Sequence, residues 1–217
     1  MTDFEQLKEI CRRAAHERNA CKPGFEALMR TESIADIMQV WRDNWDDIFR
    51  SRYADIMVQQ LQQISPSLIK AFAQGGVYVN RDTDNDYVII SNPQREVHVG
   101  GTARAYVFTY AQVVATDNAQ VYCRAAATIT LQGHAYCMCE HKQAQVGIHN
   151  FAKAQGVMQA QCYNAAQVVI TGGTLTDYGH RRIAAYGTSK IYSNTTRNIE
   201  LDGDSCILEL NENKPHE

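Results

Sequence analysis

Five histidines between residues 97 and 193 could serve as general bases, because an imidazole changes its protonation state near neutral pH. They are His98, His134, His141, His149 and His180. Hydrolysis of a glycosidic bond would instead need two neighbouring carboxylates. The acids in this region, Asp117, Glu140 and Asp177, are far apart in sequence. The sequence therefore predicts no catalytic residue. It favours a non-enzymatic function, with enzymatic activity as the alternative.

The seven cysteines raise the question of a metal site. Cys137-Met-Cys139-Glu-His141 offers two sulfurs and an imidazole, which could bind a soft metal ion. However, alternation along a strand would turn both sulfurs toward the interior, and no second Cys/His pair completes a zinc-like shell. We expect neither a metal nor a cofactor. The buried cysteines are instead interpreted as compact apolar residues in a reducing compartment; they are Cys123, Cys137, Cys139 and Cys162.

An eight-residue phrase determines where all these residues lie. It consists of alanine, a polar residue, a small apolar residue, an unrestricted position, another small apolar residue and three turn-like residues. It begins at Ala103, Ala111, Ala119, Ala127 and Ala135, and it resumes after a one-residue slip at Ala144, Ala152 and Ala160. Alternation with a period of two turns positions 1, 3 and 5 inward and positions 2 and 4 outward. Such units can bury their apolar side by stacking, which predicts a parallel β-solenoid.

The predicted fold class is α+β: a helical N-terminal cap followed by a parallel β-solenoid, or β-helix. We expect three phrases per coil, which would give the solenoid a triangular cross-section. A flatter coil of two phrases is the alternative, because the inward residues are small. The predicted domains are a helical cap over residues 1–76, the solenoid over 77–193, and a C-terminal cap strand with an acidic tail over 194–217. The strand pattern of 204–210 could close that end, and otherwise the end could pair with a second subunit.

The first 76 residues follow helical patterns. Capping boxes begin helices after Thr2 and Ser33, and a further helix is expected from Tyr53 to Ile64. Trp41 and Trp45 are spaced four apart among other apolar residues, which favours a helical core over a binding patch. We expect this head to cover the open end of the solenoid, where unpaired strands would otherwise invite aggregation.

The outward positions of the repeats are rich in glutamine and tyrosine and poor in charge. Stacked strands would align these side chains into ladders that suit a protein partner or a sugar. The candidate binding residues on the outer solenoid face are Tyr106, Gln112, Gln120, Tyr122, Tyr136, Gln145, Gln161 and Tyr163. The competing interpretation is that these ladders only stabilise the stack.

Composition excludes several classes of protein. The net charge is -3 and no dense basic or acidic stripe occurs, so a nucleic-acid partner is not expected. No window approaches eighteen uninterrupted apolar residues, and the acidic, amphipathic N-terminus lacks the order of a secretory signal. We therefore predict a cytoplasmic location without membrane contact.

The phrase Ala-x-Val-x-Ala-x-Asp-Asn, with its octad spacing, resembles octapeptide-repeat β-solenoid proteins of gut bacteria and their phages. The resemblance covers residues 95–170 and extends loosely to the helical N-terminal region. It implies the fold and a phage or mobile-element origin, but it supplies no catalytic signature. The expected function is a non-enzymatic scaffold that binds a protein partner, as a host-system inhibitor or an assembly component. The alternatives are a carbohydrate-binding adhesin-like module and a hexapeptide-like acyltransferase using a surface histidine, although that family repeats every six residues.

Overall fold

The computed structural model describes residues 2–50, 53, 56 and 66–208. Helices of the head come first, and a stack of parallel strands follows. The helices are α1 (Asp3–Glu17), α2 (Lys22–Met29), α3 (Ile34–Asp43), α4 (Trp45–Arg50) and α5 (Pro66–Gln74). Both predicted capping boxes are present, at Thr2 with Glu5 and at Ser33 with Asp36. Most of the helix predicted from Tyr53 to Ile64 lies outside the described residues.

The core of the head confirms the interpretation of the two tryptophans. Trp41 and Trp45 are each 1 % exposed and pack with apolar residues of the other helices. Helix α2 begins at Lys22, and Pro23 lies in its first turn, where the missing N–H of proline costs no helical hydrogen bond. No helix in the described part of the chain is long and apolar enough to cross a membrane.

The described residues contain fourteen strands, which form two parallel stacks that we call the first and second sheets. The predicted fold class, a helical region followed by a parallel β-solenoid, is confirmed. The first sheet contains β1 (Val77–Val79), β2 (Tyr87–Ile90), β4 (Arg104–Val107), β6 (Gln120–Cys123), β11 (Arg182–Ala185) and β13 (Ile199–Leu201). The second contains β3 (Val97–Val99), β5 (Gln112–Ala115), β7 (Thr128–Leu131), β12 (Lys190–Tyr192) and β14 (Cys206–Leu208). Strands β8 (Tyr136–Ile148), β9 (Lys153–Cys162) and β10 (Gln167–Asp177) turn a corner and contribute to both.

The expectation of three phrases per coil is wrong, because each coil contains two. Gln120 pairs with Arg104 before it and Tyr136 after it, so equivalent positions differ by 16 residues. Consecutive phrases therefore alternate between the sheets. The small inward side chains explain the flat section: Ala115 and Ala119 are fully buried, and two sheets lined by such residues can approach each other closely.

The register irregularity predicted after Ala135 occurs where β8 turns its corner, between Glu140 and Gln145. A second irregularity lies in β10 between Ile170 and Gly172. The backbone at Gly156 and Gly173 has positive φ values of 118° and 101°, and a Cβ at either would collide with a carbonyl of the preceding coil. Only glycine fits such a corner without strain.

The helical head packs on the outward side of the first sheet rather than over the end of the solenoid. Tyr106 and Tyr122 belong to the same buried cluster as Trp41 and Trp45. At the N-terminal end, Tyr78 packs against the solenoid interior, and the Arg81 guanidinium lies 4.4 Å from its ring centroid. The head thus occupies one face of the solenoid and leaves the opposite face to solvent.

The C-terminal segment extends the stack instead of crossing its end. Strand β14 pairs in parallel with β12, and β13 pairs in the same way with β11. Glu200 of β13 accepts hydrogen bonds from Arg182 at 2.8 and 2.9 Å. The predicted closing strand therefore forms a further rung up to Leu208, and residues 209–217 of the acidic tail lie outside the described residues.

Candidate functional site

The outward side of the second sheet is a regular surface on the side of the solenoid opposite the described part of the head, and we call it the free face. Pairing between coils arranges its side chains in two columns. One column contains Gln112, Thr128, Gln145, Gln159 and Thr174, and the other contains Val114, Thr130, Gly147, Gln161 and Thr176. These ten residues present amides, hydroxyls and small apolar groups, and none carries a charge at neutral pH.

A shallow groove of about 410 Å³ crosses the rungs of the free face from β7 to β10. Gln145, Gln159 and Gln161 line it, and Gly147 leaves a gap at its centre. A Cβ at Gly147 would meet His149 Nε2 at 3.5 Å and the Ile129 carbonyl at 3.9 Å, which are ordinary contact distances. The absence of a side chain at Gly147 therefore deepens the groove but is not required by the backbone.

A stack of three aromatic rings, which we call the aromatic ladder, stands at the corner beside the groove. The centroids of His149 and Tyr163 lie 4.7 Å apart with an interplanar angle of 3°, and those of Tyr163 and Tyr178 lie 5.0 Å apart with an angle of 10°. His149 and Tyr163 also line the groove. The ladder forms because these residues occupy the same corner position in successive coils.

The backbone beside the ladder explains its regular spacing. The next corner residues, Asn150 and Asn164, adopt left-handed φ values of 57° and 60°, which asparagine tolerates. The Asn164 side-chain amide donates a hydrogen bond of 3.3 Å to the Asn150 side-chain oxygen. The Tyr163 hydroxyl donates to Gln161 Oε1 at 3.0 Å, while partial burial and the neighbouring Tyr178 raise the pKa of Tyr163. Tyr163 is therefore a neutral hydrogen-bond donor at physiological pH.

The eight predicted binding residues do not share one surface. Gln112, Gln145 and Gln161 lie on the free face, and Tyr163 belongs to the aromatic ladder. The other four, Tyr106, Gln120, Tyr122 and Tyr136, point outward from the first sheet. The prediction of one continuous face is wrong because successive phrases alternate between two opposite sides of a flat coil.

Two of these tyrosines are covered by the head, which contradicts their assignment to an accessible binding face. Tyr106 is fully buried, with its ring against Phe108, and Tyr122 is 8 % exposed. The Tyr122 hydroxyl and Arg104 both donate to Asp46 Oδ1, at 2.9 and 3.2 Å. These residues hold the head to the sheet.

Sequence reasoning missed Gly147, Gln159, His149 and Tyr178 as members of one site. The coil is shorter here, since Lys153 pairs with Gln167 only 14 positions later. Counting along the sequence in steps of eight residues therefore does not identify the residues that share a column. One signal was present: the fourth position of successive phrases alternates between large and small, from Tyr106, Val114, Tyr122 and Thr130 to Met138 and Gly147. That 16-residue period distinguishes the covered side from the open one.

A buried polar cluster near the end of β10 has the residue types of a catalytic triad but a different arrangement. Asp177, at an inward position and 5 % exposed, accepts hydrogen bonds from Ser193 Oγ at 2.6 Å and from Cys162 Sγ at 3.4 Å. His180 Nδ1 lies 2.8 Å from the same carboxylate, and its Nε2 lies 2.8 Å from the Arg197 carbonyl. The serine hydroxyl is thus bound to the acid rather than to the imidazole, unlike an activated nucleophile. Burial raises the pKa of Cys162, so it is a neutral thiol.

The remaining histidines and the cysteine motif have structural surroundings. His98 pairs with Glu96 at 3.0 Å, and His134 stacks on Phe151 with centroids 5.5 Å apart. Cys137 and Cys139 are fully buried and point inward as predicted. Within the described ranges, no group of three or more His, Cys, Asp or Glu residues is placed to hold a metal ion.

Comparison of this chain with protein-family profiles, with curated proteins and with solved structures finds no match.

Proposed function

We propose that this protein is a non-enzymatic interaction module and that the free face is its binding surface. The observation that carries this proposal is that the head covers one side of the solenoid, whereas the other side is open. The first sheet is occupied by the head over Tyr106 and Tyr122, whereas the second sheet presents an ordered surface with a groove lined by amides and hydroxyls. A surface with regular polar columns and few charges is suited to recognition rather than to proton transfer.

A protein partner is the occupant that the sequence analysis favours, and it stays a prediction. Affinity capture followed by reconstitution with the purified partner tests it. Substituting Gln145 and Gln159 together by arginine should abolish the interaction, because two cations would face an uncharged interface. The same double substitution at Gln120 and Gln167, outward on the first sheet, is the matched control. Binding that is lost in the control but not on the free face would refute the assigned surface.

A neutral carbohydrate is the second candidate, and two features of the free face favour it. Protein interfaces concentrate their binding energy in large residues near the centre. Here the centre is Gly147, and the aromatic rings stand at one border. A groove bordered by rings and lined by amides and hydroxyls has the composition of a sugar site.

A further inference from the structure

We propose that the groove of the free face binds a neutral glycan chain that runs across the rungs, along the axis of the solenoid. This inference rests on the proposed function and specifies the ligand class of the same surface. The groove extends over four rungs, from β7 to β10. Adjacent strands lie ~4.8 Å apart, so its length is about 14 Å, which accommodates a short run of sugar rings.

The polar groups of the groove match a ligand made of hydroxyls. A sugar hydroxyl both donates and accepts hydrogen bonds, and so do the amide of glutamine and the hydroxyl of threonine. The structure shows no hydrogen bond from the side chains of Gln145 and Gln159 to any described residue, so both amides can bind a ligand. Gln161 differs, since its Oε1 accepts from the Tyr163 hydroxyl at 3.0 Å. That bond fixes the amide so that its NH₂ group is left for the ligand.

The aromatic ladder supplies the apolar part of such a site. The faces of a sugar ring carry C–H groups, which pack against aromatic side chains, while its edge carries the hydroxyls. His149 and Tyr163 border the groove, and Tyr178 is 50 % exposed at the end of the ladder. A chain lying in the groove would therefore contact rings on one side and amides on the other.

Charge selects the kind of glycan. Among the described residues, no lysine or arginine lines the groove, and the cation that continues its first column, Lys190, lies one rung beyond it. An acidic polysaccharide or a nucleic acid in the groove would therefore find no lysine or arginine there to neutralise it. A protein with a charged surface would likewise lose hydration without compensation. A neutral glycan has no charge to desolvate, and the groove offers hydrogen bonds to its hydroxyls.

The decisive variant is Gly147→Thr, which fills the centre of the groove without disturbing the fold. The added Cβ meets its nearest neighbours at 3.5 and 3.9 Å, and threonine is favoured in strands. The matched control is Gln167→Thr, which introduces the same side chain at an outward position of the first sheet, on the opposite side of the solenoid from the groove. Both variants should keep the melting temperature of the natural chain or exceed it.

Isothermal titration calorimetry with cello-, manno-, malto- and chitohexaose tests the proposal, with a sulfated hexasaccharide as the charged comparison. We expect saturable binding of at least one neutral chain, weakened at least tenfold by Gly147→Thr and unchanged by Gln167→Thr. The inference is overturned if no neutral chain binds, if the sulfated chain binds best, or if Gly147→Thr binds as tightly as the natural protein. If no glycan binds but a purified protein partner is lost in Gly147→Thr, the inference falls and the proposed function stands. If that partner binds both variants equally, the proposed function falls as well.

Discussion

At the scale of single residues, the solenoid interior is defined by small apolar side chains. Ala115 and Cys123 are at most 1 % exposed, and each lies between equivalent residues of the coils above and below. Two sheets that face each other across such residues leave no space for a longer side chain. The same burial raises the pKa of Cys137 and shields the inward thiols from solvent.

Replacing Ala115 by leucine should destabilise the protein by ~1–3 kcal/mol, because the extra carbons have no room in a closely packed core. Chemical denaturation gives the free energy of unfolding. Gln112→Leu is the control, since Gln112 points outward from the same strand and should change stability by less than about 0.5 kcal/mol. Equal effects of the two substitutions would contradict the assignment of inward and outward positions.

Thiol labelling should separate the cysteines by burial. Cys21 is exposed and Cys206 is partly exposed, whereas the other five are buried. Burial raises the pKa of Cys11 to about 12, so at pH 8 it is protonated as well as inaccessible. Ellman's reagent should modify Cys21 quickly and Cys206 more slowly in the native protein. The other five should react only at the rate of unfolding.

The variant Cys21→Ser should remove the fast phase of labelling and leave the slow one. Rapid modification of three or more thiols in native protein would show that the interior is not closed as described.

At the scale of elements, Asp46 connects the head to the solenoid. It begins the first turn of α4 and accepts from two side chains of the first sheet, Arg104 and Tyr122. Burial and the carboxylate of Asp46 raise the pKa of Tyr122, so this phenol stays a donor at any physiological pH. The Trp45 ring adds an edge contact to Tyr87, with centroids 4.8 Å apart.

A double-mutant cycle measures this connection. Asp46→Ala and Tyr122→Phe should each lower the free energy of unfolding by ~1 kcal/mol, and the pair should show a coupling energy of at least ~0.5 kcal/mol. Asp43→Ala is the control, because Asp43 accepts from Gln39 on the exposed side of α3. Additive effects of Asp46→Ala and Tyr122→Phe would mean that their hydrogen bond contributes nothing to docking.

The sequence predicts the elements better than their arrangement, for a physical reason. Alternation along each phrase depends on local burial, so inward residues such as Val113 and Ile129 could be identified directly. The number of phrases per coil depends on which strands contact each other between coils. An eight-residue pattern of inward and outward positions is compatible with either two or three phrases per coil. Only outward residues differ between the sheets, and their alternation between large and small, which includes Tyr106, has a 16-residue period that counting in steps of eight overlooks. The groove escaped prediction because it arises from an absent side chain at Gly147 and a shortened coil.

At the scale of the whole molecule, each coil contacts mainly the coils beside it. Stability in such a stack is approximately the sum of coil and interface contributions. Equivalent positions differ by 16 residues in the regular part, so residues 120–135 make up one coil. Removing that coil would join Ala119 to Tyr136 and keep every later strand in its sheet.

Deletion of residues 120–135 should therefore yield a folded protein with a single thermal transition, whereas deletion of 120–127 should not. Both deletions keep the octad phrase intact, but the shorter one moves every later strand to the opposite sheet. Circular dichroism and calorimetry compare the two proteins. Similar melting temperatures would contradict a coil of two phrases.

The two-phrase coil also constrains how a gene of this kind can change its length. Duplication or loss of sixteen codons lengthens or shortens the molecule by one full layer and preserves which side is solvent-facing. A change of eight codons exchanges the two sides downstream of the event. Viable length variants should therefore differ by even numbers of octads. Each added pair lengthens the free face by one rung, while the helical head keeps its contacts with the first sheet.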